Sequence, residues 1–284
     1  MAMLPSRVSD LADVDLIERA GCRHEIAGAA GPMVWRSWGA GDPVVLLHGG
    51  SGSWNHWVRN IAALVAAGRQ VWIPDLPGFG ESARVPSGGD ADALPEPMHD
   101  ALQALLGDAA VDMVGFSFGT MVAVLMAARW PQRIRRLVLS GAPALGVKSE
   151  EKLELRAWSH LPPGPALDAV LRQNLAVLML ARPQSLDELA LALHAANLPR
   201  DRMRLRRLSK TNLVRDTLPA VQCPVHGVWG REDALYLGVQ DQLAPALAAA
   251  PGFQGLTLIA QAGHWVQYED AQAYDQALAA ALGG

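Results

Sequence analysis

Only two cysteines, Cys22 and Cys223, occur in 284 residues. Neither belongs to a spacing that binds a metal or cycles a disulfide, so both are read as unpaired thiols in a reducing compartment. No apolar run reaches the roughly 18 residues that a membrane span requires. The opening stretch carries Asp10, Asp13, Asp15 and Glu18 and lacks an apolar central run, so it is not read as a secretory leader. Charge is scarce: 18% of residues are charged and the net charge is −4. That balance gives no electrostatic reason to expect nucleic acid or an anionic membrane as partner. Internal repeats and low-complexity segments are also missing. What remains is a chain expected to be globular, water-soluble and cytoplasmic, as a monomer or homodimer, with 50% apolar residues from which to build a core.

Short apolar runs bounded by Gly, Pro or Asp predict strands at 44–47, 71–74, 111–114, 134–139, 225–229 and 256–259. Helical patterns lie between them at about 57–67, 97–106, 118–130, 237–249 and 270–282. This alternation implies an α/β fold with a parallel sheet covered on both faces. Residues 25–38 look like an antiparallel hairpin entering that sheet, and 86–97 like a surface loop.

One region breaks the alternation. From 145 to 213 only helical patterns occur, interrupted by LPPGP at 161–165, Pro183 and Pro199. An all-helical insertion between two strands is expected to lie as a cap over the C-terminal edge of the sheet. It divides the chain into a core of 1–144 and 214–284 around a cap of 145–213. Its arginines, Arg200, Arg202, Arg204, Arg206 and Arg207, are read as a solvated helix face.

Against this background, Gly115-Phe116-Ser117-Phe118-Gly119 stands out. A short apolar run precedes it and a dozen helix-forming residues follow, which places Ser117 at a strained strand-to-helix turn. The positive end of the helix and the amide of Phe118 would favour negative charge beside its hydroxyl. A serine needs a base to become a nucleophile. His264, in AGHWVQYE, follows the 256–259 strand, and Asp233, in WGREDAL, follows the 225–229 strand. Ser, Asp, His is a known chain order for hydrolases built on parallel sheets, and all three fall beyond strand C-termini, where such sheets place ligands. LLHGGSGSW at 46–54 is glycine-rich without a phosphate-loop lysine. Its amides can face a reacting carbonyl oxygen, Gly50 first and Ser51 second, while His48 holds the loop. No metal or cofactor is called for.

Taken together, HGG, DLPGFGES at 75–82, GFSFG, GREDAL and GHW resemble the α/β-hydrolase fold family, over residues 44–268. The resemblance implies an eight-stranded, mostly parallel sheet with a helical cap after the sixth strand. It makes Ser117 the nucleophile, His264 the general base and acid, and Asp233 its orienter, with Gly50 and Phe118 forming the oxyanion hole. Asp75 resembles a structural residue. A serine in place of a carboxylate nucleophile argues against dehalogenase and epoxide hydrolase chemistry and for attack on a carbonyl.

The expected activity is carboxylesterase, on a small-molecule ester with an apolar part. The apolar stretch LAVLMLA at 175–181 and Trp54, Trp57, Trp158 and Trp265 suggest such a pocket, with Ser51, Phe116, Trp158, Met179 and Trp265 as lining candidates. The alternative is a hydrolase of carbon–carbon bonds in aromatic ring-fission dienoates, which GHW also resembles. Those enzymes carry an asparagine where Phe116 stands and use a cap arginine for the substrate carboxylate, and no single arginine is marked here. A third reading is a ligand-binding protein on the same fold with little turnover.

Overall fold

The computed structural model describes residues 4–5, 7–28, 30–84, 89–203 and 205–283. The apolar runs become β3 (Asp42–Leu47), β4 (Arg69–Pro74), β5 (Val111–Phe116), β6 (Ile134–Ser140), β7 (Val225–Gly230) and β8 (Phe253–Ile259), preceded by the hairpin β1 (Cys22–Ile26) and β2 (Met33–Trp38). Among the described residues these eight form one sheet, in the order β1-β2-β4-β3-β5-β6-β7-β8. β2 pairs antiparallel with β1 and β4, and the pairs from β4 to β8 are parallel. The sheet is therefore the eight-stranded, mostly parallel one expected.

The helices are α1 (Leu11–Ala20), α2 (Ile61–Ala66), α3 (Pro95–Leu106), α4 (Phe118–Arg129), α5 (Pro165–Leu178), α6 (Glu188–Asn197), α7 (Leu213–Thr217), α8 (Leu243–Leu247), α9 (Val266–Glu269) and α10 (Ala271–Leu282). Side chains of β3 alternate between two cores, because successive strand residues point to opposite faces. Val45 and Leu47 pack with Met98 of α3, Met121 of α4 and Leu243 of α8. Val44 and Leu46 pack with Ile17 of α1, Ile61 of α2 and Leu278 of α10. Burial on both faces explains why the inner parallel strands read as apolar runs; β8, at the edge, is only partly buried. Among the described residues no helix is long and apolar enough to cross a membrane.

Several local expectations change. The stretch at 57–67 is a 3-10 turn, Trp54–Trp57, followed by the short α2. The helix expected over 237–249 is instead a 3-10 turn, Gln240–Gln242, followed by the short α8, with Gly238 ahead of both at a left-handed φ of 80°. The supposed loop at 86–97 holds a 3-10 turn at Ala91–Ala93, capped by Asp90, and the start of α3, with Pro95 at its first position; residues 86–88 lie outside the described set. α1 was not anticipated. It starts on the Asp10 cap, whose Oδ1 accepts the Asp13 N–H at 3.0 Å, and buries Val14 and Ile17 one turn apart.

Between β6 and β7 the described residues form helices and no strand. The arginine run is not a helix face. Arg202 donates to the carbonyls of Gly80 at 3.1 Å and Ser82 at 2.5 Å, Arg206 turns inward, and Arg204 lies outside the described residues.

Candidate active site

Four loops meet at the C-terminal edge of the sheet, following β3, β5, β7 and β8. Ser117 joins β5 to α4 with φ 48° and ψ −117°, a conformation unfavourable for a residue with a Cβ. Backbone packing holds it there. A Cβ on Gly115 would come within 2.7 Å of the Thr120 Cα, and one on Gly119 within 2.6 Å of the Leu47 carbonyl oxygen. Both glycines of the pentapeptide are thus required by the close passage of strand, helix and neighbouring loop.

Asp233 and His264 are brought together: His264 Nδ1 lies 2.9 Å from Asp233 Oδ2, and both side chains are buried. The second carboxylate oxygen of Asp233 accepts the Leu235 N–H at 3.0 Å, which fixes its plane. Gly141, at φ 58°, passes so near that a Cβ there would meet His264 Cε1 at 2.7 Å. The adjacent Glu232 is exposed. With Nδ1 engaged by the carboxylate, Nε2 is the nitrogen left to exchange a proton. Ser117 and His264 line the same cavity without a hydrogen bond between them, a separation often seen before substrate is bound.

The β3 loop presents its amides to the same space. Gly49 N–H is taken by His56 Nδ1 at 3.3 Å, whereas Gly50 N–H has no partner among the described residues. Phe118 is the first residue of α4, where amides lack an intrahelical acceptor. A Cβ on Gly50 would lie 3.8 Å from that of Phe118, so the two positions are neighbours. His48 holds the loop: Nδ1 contacts the Gly49 carbonyl at 2.8 Å, and Nε2 accepts the Leu76 N–H at 2.9 Å. Asp75, also buried, accepts the amides of Trp54 and Glu81, each at 2.9 Å.

The cavity over Ser117 has a volume of about 470 Å³. Of the pocket candidates, Ser51, Phe116, Trp158 and Met179 line it and Trp265 does not. The Trp265 backbone N–H donates to the Met179 carbonyl at 2.8 Å and its indole to the His56 carbonyl at 3.1 Å. These bonds turn the ring onto Tyr268, with centroids 4.2 Å apart. Trp54 and Trp57 are core residues. Of 175–181, Leu178 and Met179 reach the cavity while Leu175 and Leu180 are buried in the core.

Six polar lining residues were not singled out from sequence as facing a cleft: Asn174, Ser209 and Lys210 beside His56, His194 and Arg206. His56 packs against Phe116 and Trp265, with ring centroids 5.6 and 4.8 Å away. Burial, reinforced by His48, His194 and His264, pushes its pKa well below the ordinary imidazole range. Since Nδ1 accepts the Gly49 amide, neutral His56 carries its proton on Nε2. His194 of α6 is likewise neutral, lowered by burial to about 4. Arg206 reaches in from the β6–β7 segment, its guanidinium 5.4 Å from the Phe79 ring centroid and 6.0 Å from that of Phe118. Its Nη1 lies 3.1 Å from the position of a Cβ on Gly50, and its buried Nε has no partner. No spacing rule distinguishes Arg206 from its neighbours in the run; only the chain path does.

A family model described as alpha/beta hydrolase fold matches residues 42–271. The chain is 29% identical over 252 residues to a 2-hydroxy-6-oxo-6-phenylhexa-2,4-dienoate hydrolase of Burkholderia cepacia, covering 84% of this chain and 86% of that one. It is 31% identical over 252 residues to a 2-hydroxymuconate semialdehyde hydrolase of Pseudomonas sp. (strain CF600), covering 82% and 84%. A bacterial membrane phospholipase A superposes with a TM-score of 0.74 at 21% identity, over 96% of this chain and 90% of that one. At that identity the likeness concerns the fold alone.

Proposed function

The chain belongs to the α/β-hydrolase fold family, and we propose that it hydrolyses a carbon–carbon bond in a 2-hydroxy-6-oxo-dienoate, the class of acid left by aromatic ring fission. This reverses the order expected from sequence, in which an ester came first. Two features of the sequence count against the dienoate: no marked arginine for its carboxylate, and no polar group beside the serine. Arg206, in the cavity with Ser117 and His264, answers the first and is the observation that carries the proposal. His56, against Phe116, answers the second. Two curated relatives with this chemistry in their names support the same reading.

In this reading the carboxylate pairs with Arg206, and Leu155, Trp158, Leu178 and Met179 receive the apolar substituent of the 6-oxo group. Residues 145–213 act as the cap that supplies both. The dienol first moves its 2-hydroxyl proton to C5, giving the keto tautomer. Ser117 Oγ then adds to C6 and its proton passes to His264 Nε2, while Asp233 stabilises the imidazolium. The C6 alkoxide rests on the amides of Gly50 and Phe118. Its collapse breaks the C5–C6 bond; the electron pair delocalises to the C2 oxygen, which takes the proton from His264. Water then cleaves the acyl-serine, with His264 again as base.

Product analysis tests the proposal. Incubation with 2-hydroxy-6-oxo-6-phenylhexa-2,4-dienoate should yield benzoate and 2-hydroxypenta-2,4-dienoate in equal amounts. Intact dienoate beside rapid consumption of an aryl ester would return the activity to the esterase reading.

A further inference from the structure

Asp201 does not line the cavity, yet it holds two residues that do. Its Oδ2 accepts the Ser51 hydroxyl at 2.6 Å and also a hydrogen bond from Arg206 Nη2. Oδ1 accepts the Met203 N–H at 3.2 Å, which fixes the carboxylate plane. Arg206 Nη1 closes the cluster 3.4 Å from Ser51 Oγ. Ser51 itself sits at φ 51°, in the left-handed region that glycine takes freely and serine does not. It directly follows Gly50, whose amide must keep one direction to meet an alkoxide. A short hydrogen bond to a carboxylate is strong enough to oppose relaxation of such a turn.

We infer that Asp201 is a positioning residue which completes the oxyanion loop from the β6–β7 segment. It pins Ser51 in its left-handed conformation, so that Gly50 N–H faces the reacting carbonyl, and it aims Arg206 over the same turn. One carboxylate therefore sets both the oxyanion donor and the anion partner. The inference rests on the proposed role of Gly50, but it does not require the substrate to be a dienoate. A purely structural Asp201 would anchor the segment and leave the chemical step alone.

The test uses the full chain and a neutral aryl ester, p-nitrophenyl acetate, which has no carboxylate for Arg206. Asp201→Asn should lower its kcat about tenfold with KM little changed, the pattern expected when stabilisation specific to the transition state is weakened. Ser51→Ala should lower kcat by at least a similar factor, and the double variant no more than Ser51→Ala alone, because Asp201→Asn takes the charge from the bond that Ser51→Ala removes. Adding Ser51→Gly to Asp201→Asn should recover kcat to within about threefold, since glycine holds this φ without the hydrogen bond. An unchanged kcat in folded Asp201→Asn and Ser51→Ala, or no recovery with glycine, overturns the inference. Should Asp201→Asn not fold, Ser51→Ala and Ser51→Gly decide it: alanine must lower kcat and glycine keep more of it. Failure of the dienoate assay with these ester effects intact would sink only the proposed substrate; the converse would sink only the role of Asp201.

Discussion

The two walls of the cleft are built differently. On the core wall, Ser117, Asp233 and His264 stand on turns that leave almost no room: a Cβ would strike neighbouring atoms within 2.7 Å at Gly115, Gly119, Gly141 and Gly230. On the other wall, Leu178, His194 and Arg206 reach the cavity from α5, α6 and the chain that follows, through long side chains. In the proposed function the first wall fixes reacting atoms, a task that punishes any displacement. The second, in the proposed function, surrounds the substrate and, Asp201 apart, can vary without disturbing the chemistry. Substitutions on the core wall should therefore act on kcat for every substrate, and those on the opposite wall, Asp201 excepted, should discriminate between substrates.

The largest effect is expected at Ser117. Ser117→Ala should cut turnover by a factor on the order of 10⁴ or more on ester and dienoate alike, because the triad acts as a unit. A fluorophosphonate should label Ser117 in the wild type, and full labelling of the alanine variant on the same peptide would remove it as nucleophile. Next comes Asp233→Asn, expected to lower kcat by on the order of 10²–10⁴ without unfolding the chain. Glu232→Gln is its control and should keep wild-type kcat; the opposite pattern would move the role to the exposed neighbour.

Across the cleft the effects become selective. Arg206→Gln should raise KM for the dienoate roughly 10- to 100-fold, the range for loss of a charge-assisted hydrogen bond. It should leave KM for p-nitrophenyl acetate within about twofold. Equal effects on both would mean that Arg206 serves the core wall instead. Smaller still, Leu178→Ala and Met179→Ala should shift preference among acyl substituents by about tenfold. Unchanged preference would place these side chains outside the substrate's reach, whereas the reaction of Ser117 with a small probe should be untouched.

The contrast between the walls also explains what could be read from sequence. Ser117, Asp233 and His264 were legible because each lies within a few residues of a strand end, where short spacing dictates geometry, and the glycines around them record the crowding. Among the parallel strands, β3 to β7 were legible because burial on both faces leaves apolar runs, whereas β8, at the sheet edge and only partly buried, showed its last four residues alone. Arg206 was not: it is one of several arginines in an irregular segment, and its inward turn depends on Asp201 and Ser51, the latter 155 residues away. His56 was hidden in the same way, since its neutral state and free Nε2 follow from tertiary packing. Trp265 misled because adjacency to His264 suggested the cleft, while two hydrogen bonds turn its ring into the core. α1 was readable in principle from Asp10 and the Val14–Ile17 spacing.

The smallest expected effect lies on neither wall and serves as a baseline. Burial pushes the Asp275 carboxyl up to about 7 from an ordinary 3.8, despite the hydrogen bond donated by Asn60. The folded chain thus holds this proton more tightly than the unfolded one, so the contribution to stability is complete below the unfolded value and is lost as pH rises through about 7. Asp275→Asn removes that dependence. Its melting temperature relative to wild type should rise between pH 5 and pH 8, with kcat unaffected at either. A constant difference across that range would show that Asp275 does not bind a proton more tightly in the folded state.

The central claim is that the β6–β7 segment equips an acyl-transfer site for an anionic dienoate. Its most direct test is kcat/KM for 2-hydroxy-6-oxo-6-phenylhexa-2,4-dienoate against p-nitrophenyl acetate, measured on one preparation of the wild-type protein. The ratio should favour the dienoate by roughly a hundredfold or more, about 2.7 kcal/mol of transition-state preference, and collapse in Arg206→Gln. A ratio favouring the ester, unmoved by Arg206→Gln, would contradict that claim.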